Sequence, residues 1–179
     1  MSNPLNNLLH VATLGKSVGL KGEMKLHIKS DFPEQFKSGA TFFSKENTQL
    51  IIDTYNENRG TVKLQGIDSP EQAKRFTNAK LYTTYEATRE NCELDEGEYF
   101  WFDIIGCQVF EQGVLLGVVM EVERISIIDY LSIKTDAALT SRGESASFLI
   151  PYQPPFIVST DIMAKTIEVQ GGMDLLQAS

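Results

Sequence analysis

The sequence contains no apolar run approaching the ~18 residues that a membrane-spanning helix requires, and only two cysteines and two histidines among 179 residues. The first absence excludes a helical membrane protein. The start, MSNPLNNLLHVATLGKS, lacks the basic opening and long apolar core of a secretory signal, so a cytoplasmic protein with reduced thiols is expected. Cys92 and Cys107 stand apart in sequence from each other and from His10 and His27, without the close ligand spacing of a structural metal site. Neither a metal nor a cofactor is expected. Net positive charge is lacking as well, the formal charge being −8. The hydrophobic content of 42% and charged content of 22% are those of a folded globular chain, whose length suits one large or two small domains.

A phosphate loop is also absent, although Gly15-Lys16-Ser17 looks like the tail of one. Such a loop reads G-x-x-x-x-G-K-[ST], its first glycine opening the turn that aims backbone N–H groups at the phosphates. His10 stands at that position. The residues that follow, Val18-Gly19-Leu20-Lys21-Gly22, place two glycines where a helix should begin. Nucleotide hydrolysis is therefore set aside.

The charge that is present divides unevenly. Residues 1 to 86 carry 11 Lys/Arg against 9 Asp/Glu, a balance of +2, whereas residues 87 to 179 carry 5 against 15, a balance of −10. The asymmetry points to two domains meeting different partners. An acidic half does not seek nucleic acid but suits a basic protein through electrostatic complementarity; the alternative is a surface that only keeps the chain soluble.

Apolar residues recur mostly with period two, the pattern of half-buried strands. Strands are expected at Leu8–Leu14, Glu23–Ile28, Ala40–Ser44, Leu50–Tyr55, Thr61–Leu64 and Leu81–Tyr85. Ser69-Pro70-Glu71-Gln72 predicts one short helix reaching about Phe76, with serine as cap, proline at the first helical position and Asn78 closing it. The polar, acidic EATRENCELDEGE that follows reads as a linker. A second strand series is expected at Gln108–Phe110, Leu115–Val122, Asp129–Ile133, Phe148–Pro151, Ile157–Val158 and Thr166–Val169, closed by a turn and a helical turn at Gly171–Leu176. The chain is thus read as mainly β, two small β-barrel domains with one short helix in the first.

No nucleophile elbow is present, and most acidic residues fall in loops or at strand ends, where solvation is the ordinary fate. No catalytic set emerges. A binding protein is expected, with a carboxylate pair hidden in the fold, and so an RNA-processing or modifying enzyme, as the alternative. Two stretches stand out. Lys16, Lys21, Lys25 and Lys29 form the most basic segment, and along the strand after Gly22 the residues Glu23, Lys25, His27 and Lys29 share one face opposite Met24, Leu26 and Ile28. Such a face serves RNA-backbone contact or blunts an edge strand. The other is Tyr99-Phe100-Trp101-Phe102. Read as a strand, these four rings must point to both faces, leaving a pair to bind a partner or to pack on a neighbouring segment.

Several short motifs in order carry a resemblance over nearly the whole chain: Gly19-Leu20-Lys21-Gly22-Glu23; Gly66-Ile67 with Glu71, Ala73 and Leu81; Gly97-Glu98-Tyr99-Phe100-Trp101 through Asp103, Ile105 and Gly106; Gly117 to Val122; and Leu149-Ile150-Pro151. The chain resembles the RimM family of bacterial ribosome maturation factors. The resemblance implies a translation-factor-like six-stranded barrel over residues 1–86, a linker over 87–98 and a PRC-barrel domain over 99–179. It implies a monomeric, non-enzymatic factor for small-subunit assembly and rRNA processing, with no membrane association. Its partners would be the immature small subunit and its rRNA, and the nineteenth small-subunit protein in the subunit head. The family's aromatic pair falls on Tyr99 and Phe100, with Trp101 beside them as the protein-binding site. Phe100 departs from the usual second tyrosine and lacks its hydroxyl. Lys16, Lys21, Lys25 and Lys29 become rRNA-contact candidates, although the loop between Lys16 and Gly19 is shorter than the family usually has. A PRC-type module with a non-ribosomal partner is the remaining reading.

Overall fold

The computed structural model describes residues 7–179; residues 1–6, where the segment without a secretory signal begins, lie outside the described residues. The chain divides into two compact units, Met1–Glu93 and Leu94–Ser179, each with its own apolar core.

Six strands build the first unit: β1 (Leu8–Val18), β2 (Glu23–Ile28), β3 (Thr41–Phe43), β4 (Gln49–Asn56), β5 (Thr61–Leu64) and β6 (Lys80–Thr84). They close into a barrel in the order β1-β2-β5-β4-β3-β6. Alternation does the sorting: on β2, Met24 and Leu26 are buried while Lys25 and His27 are exposed. Strand β1 runs past the expected Leu14, so Gly15-Lys16-Ser17 is strand with a bulge between Leu14 and Ser17. Gly15 is bare where a Cβ would come within 2.7 Å of His27 Nε2, which lets the imidazole lie across β1.

The β1–β2 turn rests on Gly22. Its φ of +80° favours glycine, and an added Cβ would meet the Ile67 carbonyl oxygen. Gly19–Glu23 and Gly66-Ile67, two of the separated motifs, thereby meet in space. Helix α1 (Pro70–Lys74) starts as predicted, Ser69 Oγ accepting from Gln72 N at 3.3 Å. The Gln72 side chain accepts from Asp68 N at 2.7 Å rather than from the cap itself. The helix stops before Phe76, and Asn78 takes a left-handed φ of 68° in the turn that leads into β6.

Two expectations need correction in this region. The stretch read as a linker opens with α2 (Tyr85–Asn91), so the first unit has a second α-helix, besides a 3₁₀ turn at Pro33–Gln35. Thr84 caps α2, its Oγ1 accepting from Ala87 N at 3.1 Å. No glycine or proline interrupts 85–91, and the capped turn is held by packing on β6 and the Pro33–Gln35 turn, with Thr88 buried.

The second unit holds β7 (Gln108–Glu111), β8 (Val114–Ile125), β9 (Ile128–Thr135), β10 (Ser147–Pro151), β11 (Ile157–Asp161) and β12 (Thr166–Val169). Their order is β10-β9-β8-β7-β12-β11, with β12 parallel to β7. Helix α4 (Ala137–Thr140) follows β9, and α5 (Gly172–Gln177) ends the fold. A Cβ on Gly172 would approach Leu116 of β8, Ile150 of β10 and Val169 of β12, so α5 begins directly over the core. Gly171 offers no side chain to cap it. Glu111 supplies the cap from β7, accepting from Gly171 N at 2.5 Å and Met173 N at 2.7 Å. Charge-assisted bonds of this kind contribute roughly 1.5–3 kcal/mol, so Glu111→Ala is expected to lower the unfolding free energy of the second unit by about that amount, read as a lower urea midpoint. Retention of the wild-type midpoint would show that α5 docks by apolar contact alone.

The aromatic run is the third correction. It is not a strand: Trp101–Ile104 is a helical turn, α3, with Phe100 at its N-cap position. Two residues four apart, Phe100 and Ile104, are 8% and 1% exposed, and the two that follow them, Trp101 and Ile105, are 36% and 40% exposed. Helical spacing sorts these side chains in and out, overriding the β propensity of aromatic residues.

Candidate protein and RNA interfaces

The segment around α3 has three differently employed rings. Tyr99 packs against the second core, and its hydroxyl donates to the Thr160 carbonyl at 3.3 Å. The Tyr152 hydroxyl shares a 3.0 Å hydrogen bond with Thr160 Oγ1, and burial raises the Tyr152 pKa. Phe100 is buried and stacks on Phe102, centroids 5.1 Å apart and planes 8° from parallel. Only Trp101 of the three turns outward.

Arg124 of β8 covers the Trp101 ring, its guanidinium carbon 5.2 Å from the centroid. The guanidinium also forks onto Asp129 of β9, Nε to Oδ1 at 2.7 Å and Nη2 to Oδ2 at 3.1 Å. Asp129 thus fixes the cation over the indole. The end of α3 is tied to β8, Gly106 N donating to Val119 O at 2.8 Å and Val119 N to Cys107 O at 2.9 Å. Met120, the next residue, is 56% exposed. Trp101, Ile105, Met120 and Arg124 therefore lie along the seam of α3 and β8. Sequence reasoning pointed to Trp101 but missed Ile105, Met120 and Arg124; the i, i+4 spacing of Trp101 and Ile105 was the available signal. Leu94–Ser179 carries 4 Lys/Arg against 13 Asp/Glu, so the seam sits in an acidic unit.

In the first unit, Lys16, Lys21, Lys25 and Lys29 are all exposed, but they do not form one patch. Lys16 lies in the β1 bulge, Lys21 in the β1–β2 turn and Lys25 nearby on β2. The Lys25 ammonium donates to the Arg59 carbonyl at 2.8 Å, holding the β4–β5 turn. Lys29 comes four residues after Lys25, about 13 Å farther along an extended strand. It belongs with His10 and Lys80: burial lowers the His10 pKa most, and the charges of Lys80 and Lys29 lower it further.

No described group of three or more His, Cys, Asp or Glu side chains is arranged to hold a metal ion. Cys92 and Cys107 are both free and buried. Burial, then Glu34, pushes the Cys92 thiol up to about 11 against a smaller opposing effect of Lys37, and burial likewise raises Cys107. Neither thiol is activated as a nucleophile. No described helix is long and apolar enough to cross a membrane.

Comparison with known proteins joins the two units. Residues 9–88 match the RimM N-terminal domain and residues 101–175 the RimM PRC barrel domain. A protein named ribosome maturation factor RimM from Sulfurimonas denitrificans is 55% identical over 179 residues, covering 100% of both chains. The protein of that name from Nitratiruptor is 49% identical over 171 residues, 96% of this chain and 98% of that one. A crystal structure described as a 16S ribosomal RNA processing protein RimM from Pseudomonas aeruginosa is 22% identical, covers 94% of this chain and 99% of that one, and has a TM-score of 0.38. With both domains matched in order and such identity over its full length, this chain belongs to the RimM family of ribosome maturation factors.

Proposed function

We propose that the chain is a non-enzymatic, monomeric assembly factor of the cytoplasm that holds the head of the immature small ribosomal subunit in a productive arrangement. Its second unit grips the nineteenth small-subunit protein, and its first unit touches the adjoining rRNA, aiding rRNA processing. The observation that carries this reading is the outward Trp101, covered by Arg124, on a unit with a large excess of carboxylates. Trp and Arg are the residues that most often dominate binding energy, and the surrounding negative field favours a basic protein. Tyr99 and Phe100 act beneath Trp101 by holding the α3 turn. Lys16, Lys21 and Lys25 contact RNA backbone at one end of the β1–β2 pair, and Lys29 at the other. Release requires only that the mature surface bind less tightly than the immature one.

Calorimetric titration of the full chain with the purified head protein tests the protein contact, and titration with head-domain rRNA at several salt concentrations tests the other. Measurable heat of binding to the protein is expected. Lys16→Gln with Lys21→Gln is expected to reduce the salt slope of rRNA binding by roughly one unit per lost phosphate contact. An unaltered slope would return both lysines to ordinary solvation, and absence of protein binding would remove the central claim.

A further inference from the structure

The first unit has a groove that neither interface uses. It lies between the β3–β4 turn and the connection from α1 to β6, and encloses about 610 Å³. Lys45 lines one wall, and Arg75 and Lys80 line the other. None of these three cations forms an ion pair among the described residues. Two aromatic rings, Phe76 and Tyr82, are also part of the lining, and Glu46 is its single carboxylate.

Both walls are held in place. Leu14 N donates to Ala79 O at 2.9 Å and Asn78 N to Leu14 O at 2.8 Å, which fastens the α1–β6 connection to β1. Across the groove, Ser44 N donates to Thr48 O at 2.9 Å and Thr48 N to Ser44 Oγ at 3.2 Å. Tyr82 is supported by His10, ring centroids 5.6 Å apart. A prebuilt groove loses little ordering entropy when it is filled.

We propose that this groove receives one unstacked nucleotide of single-stranded RNA, its phosphate against Arg75, Lys80 and Lys45 and its base against Phe76 and Tyr82. The proposal deepens the reading of this chain as an rRNA-contacting factor. Cations beside aromatic rings are the two elements of single-strand recognition, and the volume lies within the range of small-ligand sites. Glu46 accepts from the exocyclic amino group of adenine or cytosine. An A-form duplex keeps its bases stacked and offers no ring to the groove. An acidic peptide satisfies the cations but leaves both aromatic rings without a matching face. Lys29, whose backbone N donates to Val11 O next to His10, the β1 partner of Tyr82, continues the positive path for the neighbouring phosphate.

The test is fluorescence anisotropy of a labelled adenosine hexanucleotide titrated with the full chain, beside hexaglutamate and a duplex of equal length. Arg75→Gln with Lys80→Gln is expected to weaken hexanucleotide binding about tenfold or more and to flatten its salt slope by roughly one unit per lost phosphate contact. Lys134→Gln with Arg142→Gln, the same charge change in the second unit, is expected to leave binding within about twofold. All four side chains are exposed, and circular dichroism verifies the fold of each variant. Equal weakening by the two double variants, no weakening by the groove variant, or tighter binding of hexaglutamate overturns the proposal. Co-sedimentation of the full chain with immature subunits separates the two levels. Subunit binding with a groove variant that behaves as wild type on the hexanucleotide defeats the groove and spares the assembly reading. The expected hexanucleotide result without subunit binding does the reverse.

Discussion

Tyr99→Ala is expected to lower the stability of the second unit by about 2–4 kcal/mol, whereas its neighbour Trp101→Ala is expected to cost less stability and to weaken binding of the head protein by ~1–4 kcal/mol. The difference follows from where the two rings go. Tyr99 packs on the second core and its hydroxyl donates to the Thr160 carbonyl, so truncation leaves a void and removes that hydrogen bond. Trp101 faces solvent under Arg124, and an exposed cation–π contact contributes only about 0.5–1 kcal/mol to stability. Urea unfolding gives the stability of each variant, and calorimetry with the head protein gives the affinity. Tyr99→Phe separates the hydroxyl from the ring, with an expected loss of roughly 0.5–1.5 kcal/mol. If Tyr99→Ala unfolds at the wild-type midpoint but no longer binds, Tyr99 is a contact residue and the division of labour around α3 is wrong. Binding retained by Trp101→Ala would remove the seam as the docking surface.

Gly117→Ala carries the largest expected loss of stability. Gly117 lies in β8 opposite Val109 of β7 and Thr135 of β9. An added Cβ would stand 2.1 Å from the Lys134 carbonyl oxygen and 2.8 Å from Ile133 Cγ2. The Ile133 methyl can turn aside, but the carbonyl belongs to the neighbouring strand and moves only if β8 and β9 separate. Overpacking costs about 1–3 kcal/mol where side chains adjust, and the upper end of that range or beyond where, as here, backbone must yield. For a unit of this size that corresponds to a melting temperature lower by more than about 10 °C. Val114→Ala, an exposed change at the start of the same strand, is expected to shift it by under about 3 °C. A Gly117→Ala melt within that small range would show that the ladder yields without cost.

Most of the strands were legible because the core accepts every second residue: Met24 and Leu26 inside, Lys25 and His27 outside. The serine cap and proline of α1 were legible for the same local reason. Helix α2 was hidden because its sequence is polar, and only Thr84 with an uninterrupted 85–91 marks it. Helix α3 was hidden by its aromatic composition, which argues for strand, although Phe100/Ile104 and Trp101/Ile105 already carry the helical interval. The candidate sites were legible only in part. Trp101 could be singled out, but Arg124 and Asp129 come to it through the β8–β9 hairpin. The four lysines looked like one patch because they are close in sequence, and extended backbone separates Lys29 from the rest. Lys45, Arg75 and Lys80 come from two distant segments, and no spacing rule brings them together.

The Glu111 cap has a consequence for the order in which the protein comes into being. The first barrel has all its strands once Thr84 has been made, and a chain still attached to the ribosome can complete it as soon as that segment is free. The second unit cannot do likewise. β7 pairs with β12, and Glu111 finds its donors only at Gly171 and Met173, so its centre waits for its last residues. Synthesis from the N-terminus therefore allows the first barrel to close while the acidic unit still lacks β12 and the α5 donors to Glu111.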